Sequence, residues 1–113
     1  MNRGDVVLVD WPYSDRTGSK LRPAVVVQAD FLNGLIDDTI FVQITSTKHG
    51  IPETEVEIDP AIETASDLTH LCYANCMNVL TRDQGIVGPV IGYLTHAVMQ
   101  QIEACLKVVL ALP

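Results

Sequence analysis

Short apolar runs rich in β-branched residues alternate with polar breaks along most of the chain. Asp5 to Trp11 contains Val6, Val7, Leu8 and Val9 in succession and reads as a strand that Pro12 ends. Tyr13 to Leu21 is polar, carries the turn pair Gly18-Ser19 and is expected as a loop. Pro23 to Ala29 predicts a second buried strand with proline at its first position, where a missing N–H costs least. Asn33-Gly34 marks a turn, Thr39 to Ile44 a third strand, and Thr45 to Pro52 a loop. Thr54 to Asp59 alternates strictly, with Thr54, Val56 and Ile58 on one face and Glu55, Glu57 and Asp59 on the other. That pattern predicts a half-buried strand whose acidic wet face discourages edge-to-edge pairing. Further strands are expected within Leu71 to Leu80 and within Ile86 to Leu94, the latter interrupted by Gly88-Pro89.

The period then changes. Met99, Ile102, Leu106, Val109 and Leu110 recur at threes and fours, and Thr95 is placed to cap the resulting helix through its hydroxyl. Several short strands and one terminal helix, without repeat or linker, predict a mainly β chain forming one domain over residues 1–113. The expected architecture is a small curled β-barrel with the helix packed against it.

Composition adds limits. With 113 residues, 48% hydrophobic and 19% charged, the chain can build a core and is not a disordered tail. That apolar supply, together with the end Val108-Val109-Leu110-Ala111-Leu112, points to a symmetric homodimer. The apolar runs are too short to span a bilayer, and Met1 to Asp5 has no apolar stretch of the kind a signal peptide needs. Three irregularly spaced cysteines do not make a disulfide framework, so the expected location is the cytoplasm.

The net charge of −7 opposes broad, non-specific nucleic-acid binding. Its distribution qualifies this. Arg16, Lys20, Arg22 and Lys48 fall in two short stretches, whereas residues 53–67 hold six acids and no base. A protein with an acidic exterior can still focus a positive potential in one cleft.

Arg22 stands directly before Pro23, which keeps it out of the helical region and displays its side chain from a stiff position. Its planar fork of donors suits phosphate oxygens and stays charged at any working pH; taken alone, it is equally a solvated loop arginine. Gln43-Ile44-Thr45-Ser46-Thr47-Lys48-His49 sets hydroxyl and amide groups at a strand end beside cationic ones, which fits an anion site or an ordinary strand exit. Cys72 and Cys76 share a strand face but stand ~13 Å apart along it, too far to share a metal at ~2.3 Å. With His70 nearby they read as buried free thiols, and neither metal nor cofactor is expected. Trp11 and Tyr13 offer either core packing or stacking on nucleic-acid bases.

Four blocks in order carry a resemblance: Gly4-Asp5-Val6-Val7-Leu8-Val9-Asp10; Gly18, Lys20 and Arg22-Pro23-Ala24-Val25-Val26-Val27; Gln43-Ile44-Thr45-Ser46; and Asn75-Cys76-Met77-Asn78-Val79-Leu80-Thr81, followed by Ile91-Gly92-Tyr93-Leu94-Thr95. Over essentially its whole length the chain resembles the MazF/PemK (Kid) toxins. The resemblance implies an SH3-like β-barrel with a C-terminal α-helix, assembled as a homodimer and paired with a cognate antitoxin protein. It further implies a metal-independent endoribonuclease that cuts single-stranded RNA, with the catalytic positions falling on Arg22 and Thr45. Ser19, Lys20, Gln43, Ser46, Lys48 and Asn78 are the expected RNA-binding residues. In such a reaction the neighbouring 2′-OH attacks, leaving a 2′,3′-cyclic phosphate and a 5′-OH, and the protein stabilises a phosphorane. His49, four residues past Thr45, is the candidate for proton transfer. Met77 departs from the pattern, standing where relatives commonly carry an aspartate; it reads either as a core residue or as a group that packs on an RNA base. A weakened nuclease acting as a protein-binding module, or a toxin directed at DNA gyrase like the related CcdB barrels, is the alternative.

Overall fold

The computed structural model describes residues 1–12 and 18–113; Tyr13 and Arg16 lie outside the described residues. The apolar runs become β1 (Asp5–Pro12), β2 (Ser19–Val26), β3 (Asp38–Thr45), β4 (Glu55–Ile58), β5 (Cys72–Asp83) and β6 (Val90–Tyr93). A four-residue helix α1 (Asp30–Asn33) precedes β3, and α2 (His96–Val109) follows β6. The strands form one antiparallel sheet in the order β4-β5-β3-β2-β1-β6. Its edges are β4 and β6, so the expected barrel is an open, curled half-barrel, with α2 packed on β4 and β5.

The unbroken apolar runs have a simple cause: both faces of the central strands are covered. Successive strand residues point to opposite faces. Val6, Val25, Val42 and Ile44 therefore join a cluster with Ile58, Ala74 and the helix residues Val98, Met99 and Ile102. Their neighbours Val7, Val9, Ala24, Val26 and Phe41 form a second cluster on the other face with Trp11. Trp11 is only 4% exposed and takes the packing role.

Several expectations change. Ser19 to Leu21 belong to β2, because they complete the hairpin with β1 through the pairs Asp10–Leu21, Trp11–Lys20 and Pro12–Ser19. Backbone pairing holds these exposed residues in a strand despite their polar character. Pro23 therefore lies inside the strand, opposite Leu8. It is tolerated because Leu8 faces β6, donating to the Pro89 carbonyl at 3.3 Å and accepting from Gly88 N–H at 2.9 Å. The β4 alternation is only partly wet: Glu57 is exposed, but Glu55 is buried. Its carboxylate accepts the backbone N–H groups of His49 (2.9 Å) and Gly50 (2.8 Å), which otherwise lack acceptors. Nor does the Thr95 hydroxyl cap α2. It donates to Glu63 at 3.0 Å while the Thr95 N–H donates to the same carboxylate at 2.7 Å. Glu63 is thus a buried carboxyl group at the positive end of the helix. In β5 a bulge leaves Cys76, Met77 and Asn78 without partners on β3, the register stepping from Val42–Val79 to Gln43–Asn75. Met77 sits on this bulge and is 46% exposed, so it is not a core residue. Helix α1 is too short to leave a period in the sequence.

Gly92 in β6 meets the backbone of Ala65 and Ser66 so closely that a Cβ would overlap both. The Tyr93 N–H donates to Ala65 O at 2.9 Å, anchoring the 59–71 segment to the sheet edge. Gly92→Ala is expected to destabilise the chain by about 1–3 kcal/mol, as overpacked cores do. Urea denaturation checks this, and an unchanged midpoint would contradict the close approach.

Candidate functional site

The cleft follows from where the β2–β3 ladder stops. Val27 N–H donates to Ile40 O at 3.0 Å. In an antiparallel pair the residues facing the partner alternate, so Val25 and then Pro23 are the next on β2 to face β3. Pro23 has no N–H to give, and the paired residues end at Ala24–Gln43. Continued in register, Arg22 would stand opposite Thr45. Beyond the ladder, Arg22, Pro23, Ile44 and Thr45 instead line a cleft of about 340 Å³. Lys20, Ser46, Asp67, Thr69 and His70 also line it.

Arg22 is half-buried, and among the described residues its guanidinium has neither a carboxylate nor a carbonyl partner. Arg3, by contrast, donates to Val27 O at 3.2 Å and pairs with Glu103 at 3.5 Å. Thr45 Oγ accepts the Thr47 N–H at 3.2 Å, which leaves its hydroxyl proton available to donate. With Lys20 and Arg22 against Asp67, the cleft wall carries more positive than negative charge on a chain of net charge −7. Residues bearing guanidinium, ammonium and hydroxyl donors thus line one opening, the two cations without an ion-pair partner among the described residues, and such donors suit an anion.

The other expected residues are divided. Lys20 and Ser46 join Arg22 and Thr45 in the cleft. Ser19 donates to Asp10 at 2.8 Å and lines a separate depression of about 230 Å³ with Arg82 and Val87. Gln43 is buried and accepts from the Asn78 amide at 2.9 Å, so this pair ties β3 to the β5 bulge. Lys48 lines a third depression, of about 200 Å³, with Pro52, Glu55, Glu57 and Tyr73. His49 does not line the cleft; its ring lies 4.0 Å from the Glu55 carboxylate. Met77 is likewise outside the cleft lining. The thiols are inert in kind: Cys76 donates to Ile102 O at 3.8 Å, and burial pushes it up to about 12. Cys72 donates to His70 O at 3.1 Å and is also raised by burial.

The sequence left Asp67, Thr69 and His70 unassigned to this site. They belong to a segment with no hydrophobic period, and only the anchoring at Gly92 reveals where it runs.

The chain matches, over residues 2–110, the model described as PemK-like, MazF-like toxin of type II toxin–antitoxin system. No curated protein matches it. Among similar solved structures is a mycobacterial endoribonuclease in complex with its cognate antitoxin, 29% identical, covering 100% of this chain and 97% of its own, with a TM-score of 0.80. A second mycobacterial endoribonuclease is 28% identical, covering 100% of this chain and 93% of its own, with a TM-score of 0.79. A MazE–MazF structure from Deinococcus radiodurans, 18% identical over 100% of this chain and 98% of its own, shares the fold with a TM-score of 0.76.

The segment after Thr45 hangs on Glu55. The His49 backbone N–H, aided by the Gly50 N–H and the nearby cationic groups, holds this carboxyl below its ordinary value of 4.5 despite its burial. A carboxyl depressed in the folded state contributes stability above its unfolded value and loses it as pH falls through the folded one. Glu55→Gln is therefore expected to lower the melting temperature at neutral pH, with the gap from the parent narrowing as pH falls below about 4.5. Melting curves between pH 7 and pH 3 check this; a gap independent of pH would contradict the ionised Glu55.

Proposed function

Because the chain belongs to the PemK-like, MazF-like toxins of type II toxin–antitoxin systems, we propose that it is an endoribonuclease cutting single-stranded RNA in the cytoplasm without a metal ion. The observation that carries this reading is that Arg22, without an ion-pair partner among the described residues, and Thr45 line one cleft from two different strands. Cleavage forms a bond from the 2′-oxygen to phosphorus and breaks the bond to the 5′-oxygen. The products are a 2′,3′-cyclic phosphate and a 5′-OH. Phosphorus passes through a phosphorane bearing extra negative charge, and fixed donors aimed at that charge are usually the largest catalytic contribution. Arg22 supplies the planar charged fork and Thr45 a neutral donor, while Lys20 and Ser46 hold the flanking backbone. The mycobacterial relative complexed with its antitoxin supports a cognate antitoxin as partner here. The apolar end of α2, with Val108, Leu110 and Leu112 all exposed, supports assembly as a homodimer.

Arg22→Ala and Thr45→Ala are each expected to lower cleavage of a mixed-sequence RNA by at least ~10²-fold, the cost of one lost oxyanion donor. Their stability should stay within about 0.5 kcal/mol of the parent, as for surface changes. Full activity in either variant would remove that residue from the site. Cleavage is also expected to survive EDTA and to stop when the 2′-OH beside the scissile phosphate is replaced by hydrogen. Cleavage of the 2′-deoxy substrate would overturn the mechanism.

A further inference from the structure

The cleavage just proposed must move a proton on to the 5′-oxygen, and neither Arg22 nor Thr45 is suited to it. Arginine holds its proton at any working pH, and a threonine hydroxyl is no better an acid than the leaving alcohol. His49, the expected candidate, is outside the cleft beside Glu55. His70 is in the lining. Its Nδ1 lies 3.1 Å from the Thr69 hydroxyl, and among the described residues Nε2 makes no hydrogen bond. Three structural facts fix its place. Gly92 receives the backbone of Ala65 and Ser66, the Ser66 hydroxyl accepts the Leu68 N–H at 3.2 Å, and the His70 carbonyl accepts the Cys72 thiol at 3.1 Å. Asp67 within this stretch has φ of +58°. That left-handed turn is one that aspartate adopts more readily than most residues. The histidine is thus carried by a segment tied at both ends rather than by an unattached tail.

Resting on the nuclease reading, we propose that His70 is the general acid of the cleavage. Its imidazolium donates the Nε2 proton to the 5′-oxygen as the P–O5′ bond breaks and the O2′–P bond forms. The 2′-OH proton passes to water in the open cleft, and the ring is left neutral with Nδ1–H donating to Thr69. The ring then recovers a proton from solvent. Lys20 and Arg22 from β2, Asp67 from the same segment and Cys72 from β5 are the titratable groups around it. Of these residue types only histidine ordinarily changes charge between pH 5 and pH 8.

The test compares the parent, His70→Gln and His49→Ala on one short RNA whose cut site has first been mapped with the parent on a mixed-sequence RNA. A matched RNA carries sulfur in place of the scissile 5′-oxygen, a leaving group that needs no protonation. Thermal melts run alongside. His70→Gln is expected to lower kcat on the oxygen substrate by ~10²-fold or more, within the range for general acids. It should also lose the fall in rate that the parent shows as pH rises, since the acid must be protonated to act. On the sulfur substrate it should come within a few-fold of the parent, a rescue that a merely structural defect would not show. His49→Ala should match the parent throughout. Undiminished cleavage by His70→Gln, or a loss that sulfur does not restore, overturns the assignment and leaves the nuclease reading standing. Loss in His49→Ala with an unchanged melt, rescued by sulfur, transfers the role to His49. A parent that cuts no RNA overturns the nuclease reading and this assignment with it.

Discussion

One missing hydrogen-bond donor organises the molecule's chemistry. At Pro23 strand β2 reaches the point where it owes β3 an N–H and has none, so the ladder ends at Ala24–Gln43. On its other side the same residue sits opposite Leu8, where none is required, so the hairpin with β1 runs on to Ser19. The strand is therefore held firmly on one edge and released on the other. Arg22 and Thr45 stand just past the point of release, on backbone that the sheet still fixes.

Charge is arranged to the same end. The chain is acidic overall, yet two of its acids are structural acceptors removed from the surface: Glu55 for the backbone at His49 and Gly50, Glu63 for the N–H and hydroxyl of Thr95 just before α2. Each is buried and met by N–H donors, the condition under which a carboxylate can be tolerated inside. The cleft keeps its cations uncompensated by comparison. A phosphate-bearing ligand approaching an acidic body meets attraction mainly at one opening, which favours selective over diffuse binding.

Much of this was legible in the sequence. Apolar runs located the strands, the change of period located α2, and Arg22-Pro23 with Thr45 marked two positions that the fold places in one cleft. What escaped were contacts between segments distant in sequence. No local pattern tells that Glu55 turns inward, since alternation describes a face and not the loop that later covers it. Gln43 and Asn78 were expected to bind RNA, because the β5 bulge that joins them to each other is invisible without the register. Proline at 23 reads as a strand start from one side of β2 only; both neighbours were needed to see it as an interior residue. His70 was noticed for its cysteine neighbours, whereas its place depends on the tight passage of Ala65 and Ser66 over Gly92.

The burial of Trp11 has an experimental consequence. It is the chain's single tryptophan, packed beneath the sheet and paired across the hairpin with Lys20, a residue of the cleft lining. An indole in that position is an intrinsic fluorophore shielded from water in the folded state and one cross-strand step from a residue of the cleft. Its emission can follow unfolding and cleft occupancy in the unlabelled protein, without adding a dye to a surface whose charge pattern governs binding.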